Sequence, residues 1–365
     1  MLIHNIFFCF SLALALPQNA GVDNKACKNP RIRKEWRKLT DQERTNYLDA
    51  VECLYKAPAK GADLFPAAQT RHDDYSALHI NRTTAPDGLT NSTNRGLVGP
   101  GIHFNGVFLP WHRYLIWNFE NTLRDECGYN GTQPYWDWSK DTPEYNSSFE
   151  KSPVFFDDAF GGNGPDPVVP SPPRAPIEGG CITTSRFAQV QNSVGPGYNL
   201  TEPHPHCIQR NFQVDLANGA LQWELNVWPL LRMTNFTNFT LSFDTDAGGV
   251  GTINGFGVHG GGHGGTGGEQ ANVWSSINDP IFFMHHAQLD RIWWVWQTYK
   301  PENLHKFGGP IYPNGTGQMT LDYPVEMSEV VAPAVPIRKV MDTLNRDGQG
   351  ILCYEYEDNG ETLPN

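Results

Sequence analysis

The chain has 365 residues, with 36 glycines, 28 prolines, 12% aromatic and 18% charged side chains, a balance that fits a loop-rich globular protein and excludes a coiled coil or a disordered chain. Its formal net charge of −12 argues against nucleic acid, because phosphate recognition needs a basic surface. The length would serve two average domains or one domain with long loops.

Residues 1–20, MLIHNIFFCFSLALALPQNA, form an apolar run ending in small residues, with Ala13 and Ala15 in an A-x-A arrangement. They read as a secretory signal peptide, shorter than the roughly 20 apolar residues that a membrane span needs. No later segment is long and apolar enough to span a bilayer, so no membrane partner is expected. Thr40 opens a capping box with Glu43, and Tyr47, Leu48, Val51 and Leu54 recur at helical spacing, which predicts a helix from Asp41 to Tyr55. A second is predicted from Leu109 to Cys127, with Leu115, Ile116, Phe119 and Leu123 on one face and His112 on its first turn. Two stretches rich in glycine or proline, 161–180 and 243–268, read as loops over one helical core. A third helix is expected with Asp279 as N-cap and Pro280 at its first position, continuing through Trp296. It would carry His286, Asp290 and Trp293 or Trp294 along one side.

Removing residues 1–20 leaves Cys27, Cys53, Cys127, Cys181, Cys207 and Cys353, an even set suited to three disulfides in an oxidising compartment. Sequence does not choose among the pairings, although Cys181 to Cys207 is the most local and Cys27 to Cys353 would tie the two ends. None stands in a C-x-x-C arrangement, which removes the usual structural zinc site and redox motif. Sequons at Asn81, Asn91, Asn130, Asn146, Asn199, Asn235, Asn238 and Asn314 fit a secreted glycoprotein.

Six of the 12 histidines fall into two triplets. The first is His79, then His103 and His112 in HFNGVFLPWHRYLIW. The second is His259 and His263 in HGGGHGGTGG, then His286 in NDPIFFMHHAQLDRIWWVW. Imidazole nitrogens are donors of intermediate softness that suit copper or zinc better than calcium or magnesium. His259 and His263 would share a helix face, but each intervening glycine costs a helix about 1 kcal/mol relative to alanine, so a short helical turn and an irregular loop both stand.

His79, HFNGVFLPWHR, PYWDWS at Pro134 to Ser139, HGGGH and NDPIFFMHHAQLDRIWWVWQ, in that order, resemble the tyrosinase and catechol oxidase family of type-3 copper proteins, especially its short secreted fungal members. The similarity runs from RKEWRKLT at Arg33 to CYEYED at Cys353. It implies a mainly α fold, a four-helix-bundle core carrying a dinuclear copper site with long loops and few short strands. It also implies a single catalytic domain over 21–365 without a C-terminal shielding domain, active as secreted. Two copper ions are the implied cofactors, with O2 and small phenols as partners. The resemblance places the first-copper ligands on His79, His103 and His112 and the second-copper ligands on His259, His263 and His286. His285 is then expected to pack or hydrogen-bond nearby, while His72, His204, His206 and His305 match no ligand position. Asp290, one turn after His286, is a candidate to orient a ligating imidazole, with an ion pair to Arg291 or a remoter partner as the alternative. Trp136, Asp137 and Trp138 are expected to pack in the core around a buried hydrogen bond. Tyr354 and Tyr356 resemble the family's closing tyrosine motif, which pairs with an arginine such as Arg33.

Two departures bear on the substrate. Relatives that hydroxylate monophenols often carry an asparagine after the first ligand of the second copper, with a nearby glutamate. Here Gly260 takes that place and no Glu lies between Asn226 and His259, so oxidation of o-diphenols to o-quinones is expected over monophenol hydroxylation. No cysteine lies between His79 and His103, so the thioether that many members attach to the middle histidine cannot form. The glycine-rich segment, with Gly260 and Val273 as rim candidates, suggests an open, mobile rim that admits methoxyphenols, chlorophenols or aminophenols. The alternatives are a monophenol-hydroxylating tyrosinase and, from another class, an oxygen carrier of hemocyanin type. A zinc hydrolase would need a carboxylate base, as in H-E-x-x-H, which is missing.

Overall fold

Helix α1, Asp41–Lys56, starts as its sequence predicts: the Thr40 hydroxyl accepts from the Glu43 N–H and the Glu43 carboxylate accepts from the Thr40 N–H. The same reciprocal cap, built from Thr70 and Asp73, starts α2, Arg71–Arg82. Apolar periodicity passes over α2 because every residue from Arg71 to Ile80 is buried, including Arg71, His72, Asp73, Asp74 and His79, so no polar face contrasts with an apolar one. Helix α3, Phe108–Cys127, stops at Gly128, whose left-handed φ of 67° is the usual exit for a glycine. This computed structural model describes residues 26–83, 101–165, 179–244, 256–313 and 315–357. Residues 1–20, Asn91 and Asn314 lie outside them. Among the described sequons, Asn130, Asn146, Asn235 and Asn238 are exposed and Asn81 and Asn199 half-buried.

The later helices are α4 (Val214–Ala220), α5 (Trp228–Leu231), α6 (Phe236–Leu241), α7 (Val258–Thr266), α8 (Ile281–Tyr299) and α9 (Ser328–Val331). Two expectations are corrected here. The stretch 243–268 is not all loop, since HGGGH forms α7. Helix α8 begins one residue later than predicted, with Pro280 itself as the cap. The Asp279 carboxylate is engaged by Arg210 at 2.7 and 2.9 Å, although it still accepts from the Ile281 N–H at 3.1 Å. Helix α8 is buried continuously from Ile281 to Trp293, as befits the central rod of the core. Around it, Tyr75 of α2, Phe119 of α3 and Phe283 of α8 meet: the two phenyl rings stack at 3.4 Å, and Tyr75 meets Phe119 edge-on at 5.3 Å.

Strands are short and come in pairs: β1 (Arg31–Arg33) with β6 (Tyr354–Tyr356), β2 (Gly180–Cys181) with β3 (Gln209–Arg210), and β4 (Pro324–Val325) with β5 (Val335–Pro336). The β1–β6 pair is parallel and places Arg33 beside Tyr356. Disulfides join Cys27 to Cys353, Cys53 to Cys127 and Cys181 to Cys207, so the local pairing and the end-to-end pairing both occur. Behind β1 and β6 lies a buried charge cluster. Asp290 of α8 accepts from Arg113 at 2.5 Å, Arg33 at 3.2 Å, Tyr354 at 2.5 Å and Tyr356 at 2.6 Å, while Arg33 also donates to Glu120 at 2.9 Å. Burial alone would raise the Asp290 carboxyl, but Arg113 and Arg33, with the two phenols, hold it below its ordinary value. Among the described residues no helix is long and apolar enough to cross a membrane.

Candidate metal centre

Each helix delivers its histidines at a defined end. His79 sits in the last turn of α2, His103 in the segment before α3, His112 in the first turn of α3, His259 and His263 one turn apart on α7, and His286 in the first two turns of α8. Ring centroids within the first triplet are 5.2 to 5.9 Å apart, and within the second 4.6 to 5.3 Å. The triplets face one another through two stacked pairs, His112 on His286 at 4.3 Å and His103 on His259 at 5.8 Å.

Hydrogen bonds on the outer nitrogens set the tautomers. The Nδ1–H of His79 donates to the Trp274 carbonyl at 2.7 Å, that of His112 to the Phe108 carbonyl at 2.8 Å, that of His259 to the Asp244 carboxylate, and that of His263 to Gln270 Oε1 at 2.8 Å. The Gln270 amide is itself oriented, because its NH2 donates to the Ser276 and Asp279 carbonyls. With the proton on Nδ1, each Nε2 keeps its lone pair. Those of His79, His112 and His259 are buried without a partner, and His263 Nε2 points at His286 Nε2 across 3.2 Å. Buried polar atoms are rarely left unbonded, so inward nitrogens of this kind mark the place of a cation. Burial pushes the His79 ring down to about 4, and burial with the neighbouring imidazoles holds His103, His112, His263 and His286 well below the usual value. The rings are therefore neutral donors. Phe282, 4.1 Å from His286, and Phe108, 4.6 Å from His259, add apolar walls. Clusters of neutral imidazoles with no carboxylate ligand fit copper or zinc and not the oxygen-loving cations.

His285 lies near enough to His259, His263 and His286 to count as a fourth donor. Both of its nitrogens are engaged, however. An indole N–H can only donate, so His285 Nδ1 accepts from Trp138 Nε1 at 3.2 Å, and its Nε2–H donates to the His259 carbonyl at 3.2 Å. In the PYWDWS segment, Trp136 donates to Asp141 at 2.8 Å and Asp137 accepts from Ser139 at 2.6 Å, all buried.

One alternative is decided and one site expectation is corrected. Asp290 bonds no imidazole of the site and takes the remoter ion pairs instead, since its carboxylate is held by Arg113, Arg33, Tyr354 and Tyr356. The orienting acceptors are Asp244, Gln270 and the Trp274 and Phe108 carbonyls, brought in by tertiary packing or by a carbonyl that no side-chain pattern marks. The glycines of α7 do not leave an open rim either. A Cβ at Gly261 would lie 2.5 Å from Ala220 Cβ, at Gly262 2.3 Å from His285 Cε1, and at Gly265 2.6 Å from Ala217 Cβ. They are glycine because α4 and His285 press against the helix. At Gly260 the space is filled by Phe256, whose Cδ1 would lie 2.7 Å from a Cβ there. Val273 is half-buried in the turn that presents Trp274.

Comparison with known proteins agrees with this geometry. The family model described as the common central domain of tyrosinase matches residues 69–299. The chain is 33% identical over 336 residues to tyrosinase ustQ of Aspergillus flavus, covering 90% of this chain and 80% of that one. It is 33% identical over 379 residues to N-acetyl-6-hydroxytryptophan oxidase ivoB of Emericella nidulans, covering 93% and 95%. Among solved structures, a mutant polyphenol oxidase from Thermothelomyces thermophila superposes with a TM-score of 0.69 at 29% identity, covering 90% of this chain and 89% of that one.

Proposed function

We propose that this chain, which belongs to the tyrosinase family of copper oxidoreductases, oxidises o-diphenols to o-quinones with O2 at a copper pair held by His79, His103 and His112 on one side and His259, His263 and His286 on the other. The observation that carries the reading is the set of imidazoles in two facing triplets, where the inward Nε2 atoms of His79, His112 and His259 lack protein partners and those of His263 and His286 point at one another. Copper bound there supplies two-electron exchange between O2 and a diphenol. The protein's own part is to hold the rings and keep the pocket dry. Asp244, Gln270 and the Trp274 and Phe108 carbonyls fix the rings through Nδ1, and Phe108 and Phe282 line them with apolar surface. Two diphenols each lose two electrons and two protons, and O2 takes up all four of each to leave as water.

Diphenols are favoured over monophenols because Gly260 presents no amide beside His259, and the phenyl ring of Phe256 stands against that position. The name of the Emericella relative supports an oxidase acting on a hydroxylated aromatic ring. The disulfides and the sequons support the reading that residues 1–20 direct secretion and that 21–365 work as one glycosylated catalytic domain. Copper analysis with oxygen uptake on catechol and on tyramine tests the proposal. Two coppers per chain and faster uptake on catechol are expected; unprimed tyramine turnover faster than catechol turnover refutes the diphenol assignment, and a zinc-filled, inactive protein refutes the reaction.

A further inference from the structure

Two large aromatic side chains stand in solvent beside the histidine cluster. Phe104 is 42% exposed and Phe256 43% exposed. They come from separate segments, each beside one member of a pair of stacked imidazoles. Phe104 follows His103 directly, with ring centroids 6.5 Å apart, and Phe256 packs over Gly260, the residue after His259. His103 and His259 are themselves nearly parallel, at 16°. Single exposed apolar residues are ordinary, whereas two exposed phenyl rings placed after His103 and beside Gly260 flank one junction between the triplets.

The backbone at Phe104 points the same way. Its φ is 59°, in the left-handed region that a bulky L residue enters only when its surroundings hold it there, and such residues gather at functional sites. What holds it is Asp244: one carboxylate oxygen accepts from His259 Nδ1–H and the other from the Phe104 N–H at 3.3 Å. A single buried carboxylate thus couples the ring of one triplet to the residue that follows a histidine of the other. The Phe104 phenyl stands outside the core.

We propose that Phe104 and Phe256 form an aromatic mouth at the seam between the two triplets, selecting flat, fused-ring o-diphenols over single-ring ones. This rests on the diphenol oxidase reading above. Phenyl faces and edges recognise other rings by offset stacking and T-shaped contact, and a two-ring substrate offers more area to both than catechol does. The two phenyls supply no hydrogen-bond donor for a carboxylate, so anionic side arms gain nothing from them.

The test compares wild-type, Phe256→Ala, Phe104→Asn and Phe256→Trp proteins in the copper-loaded form. Asparagine tolerates a left-handed backbone and so keeps the bond to Asp244. The ratio of kcat/KM for naphthalene-1,2-diol to that for catechol, each corrected for autoxidation, is expected to fall roughly three- to tenfold in Phe256→Ala and Phe104→Asn, and to be retained in Phe256→Trp. Calorimetric binding of 2-methoxynaphthalene, which has no free hydroxyl to oxidise, should weaken by a similar factor in the first two variants. An unchanged ratio with unchanged binding overturns the mouth, as does an equal loss on both diphenols. A wild-type protein that oxidises neither diphenol refutes the diphenol reading, and the binding comparison then still decides whether the two rings form a site.

Discussion

Substituting neighbouring glycines of α7 by alanine should shift stability in opposite directions. In a helix interior Gly→Ala gains up to about 1 kcal/mol, because alanine loses less backbone freedom on folding. At Gly264 the only atom that a new Cβ meets closely is Leu216 Cδ2, at 2.9 Å, the far end of a half-buried side chain on α4 that can rotate aside. Gly264→Ala should therefore stabilise by about 0.5–1 kcal/mol. At Gly265 the Cβ meets Ala217 Cβ at 2.6 Å and Ala217 Cα at 3.2 Å, so α4 itself must move. Overpacking of this kind costs roughly 1–3 kcal/mol and outweighs the propensity gain, for a net loss of up to about 2 kcal/mol. Guanidinium unfolding of the metal-free variants, with midpoints compared at constant m-value, measures both. Shifts of the same sign, or a Gly265→Ala protein more stable than wild type, would refute the claim that these glycines exist for close helix approach.

The Asp290→Asn change strips the charge from a buried carboxylate that serves Arg33 and Arg113, and it should cost about 3–5 kcal/mol in denaturant unfolding, as breaking buried pairs does. Because the folded Asp290 value is depressed, its contribution is complete above the unfolded value near about 3.9 and is lost as pH falls through the lower folded value. Wild type should therefore lose stability in that acid window more steeply than Asp290→Asn, and parallel acid titrations would contradict the assignment. Asp244→Ala removes the acceptor of His259 Nδ1–H and should weaken metal retention roughly 10- to 100-fold in chelator competition. Retention equal to wild type would show that His259 is oriented by something else.

Helices α1 and α3 were legible because their apolar residues recur on one face, and α8 was legible from the start signal of Asp279 and Pro280, although it begins one residue later and runs on to Tyr299. Helix α2 was not, since burial on every side erases the contrast that periodicity needs, and its capping pair Thr70 and Asp73 stands before a polar run. The histidine triplets could be picked out from the order of their motifs, but their partners could not. Asp244 lies 15 residues before His259, and the Trp274 carbonyl that holds His79 is 195 residues away. Asp290 stayed open between two readings because proximity on a helix does not decide where a carboxylate turns when Arg113 offers it a 2.5 Å bond. The α7 glycines misled for a related reason: a missing side chain can signal an empty rim or a neighbour pressed close, and only the position of α4 distinguishes them.

The parallel pairing of β1 with β6 has a consequence for the order of assembly. Arg33 is among the first described residues to be synthesised, yet its neighbours Tyr354 and Tyr356 are among the last. Until they emerge from the ribosome, Asp290 lacks two of its four hydrogen-bond donors, so α3 and α8 meet around an incomplete cluster. Contacts so distant in sequence form slowly, and the nascent chain must keep the apolar surface of α8 from other chains until β6 joins β1. Completion of the Asp290 cluster thereby waits for a three-residue strand that is made after α8.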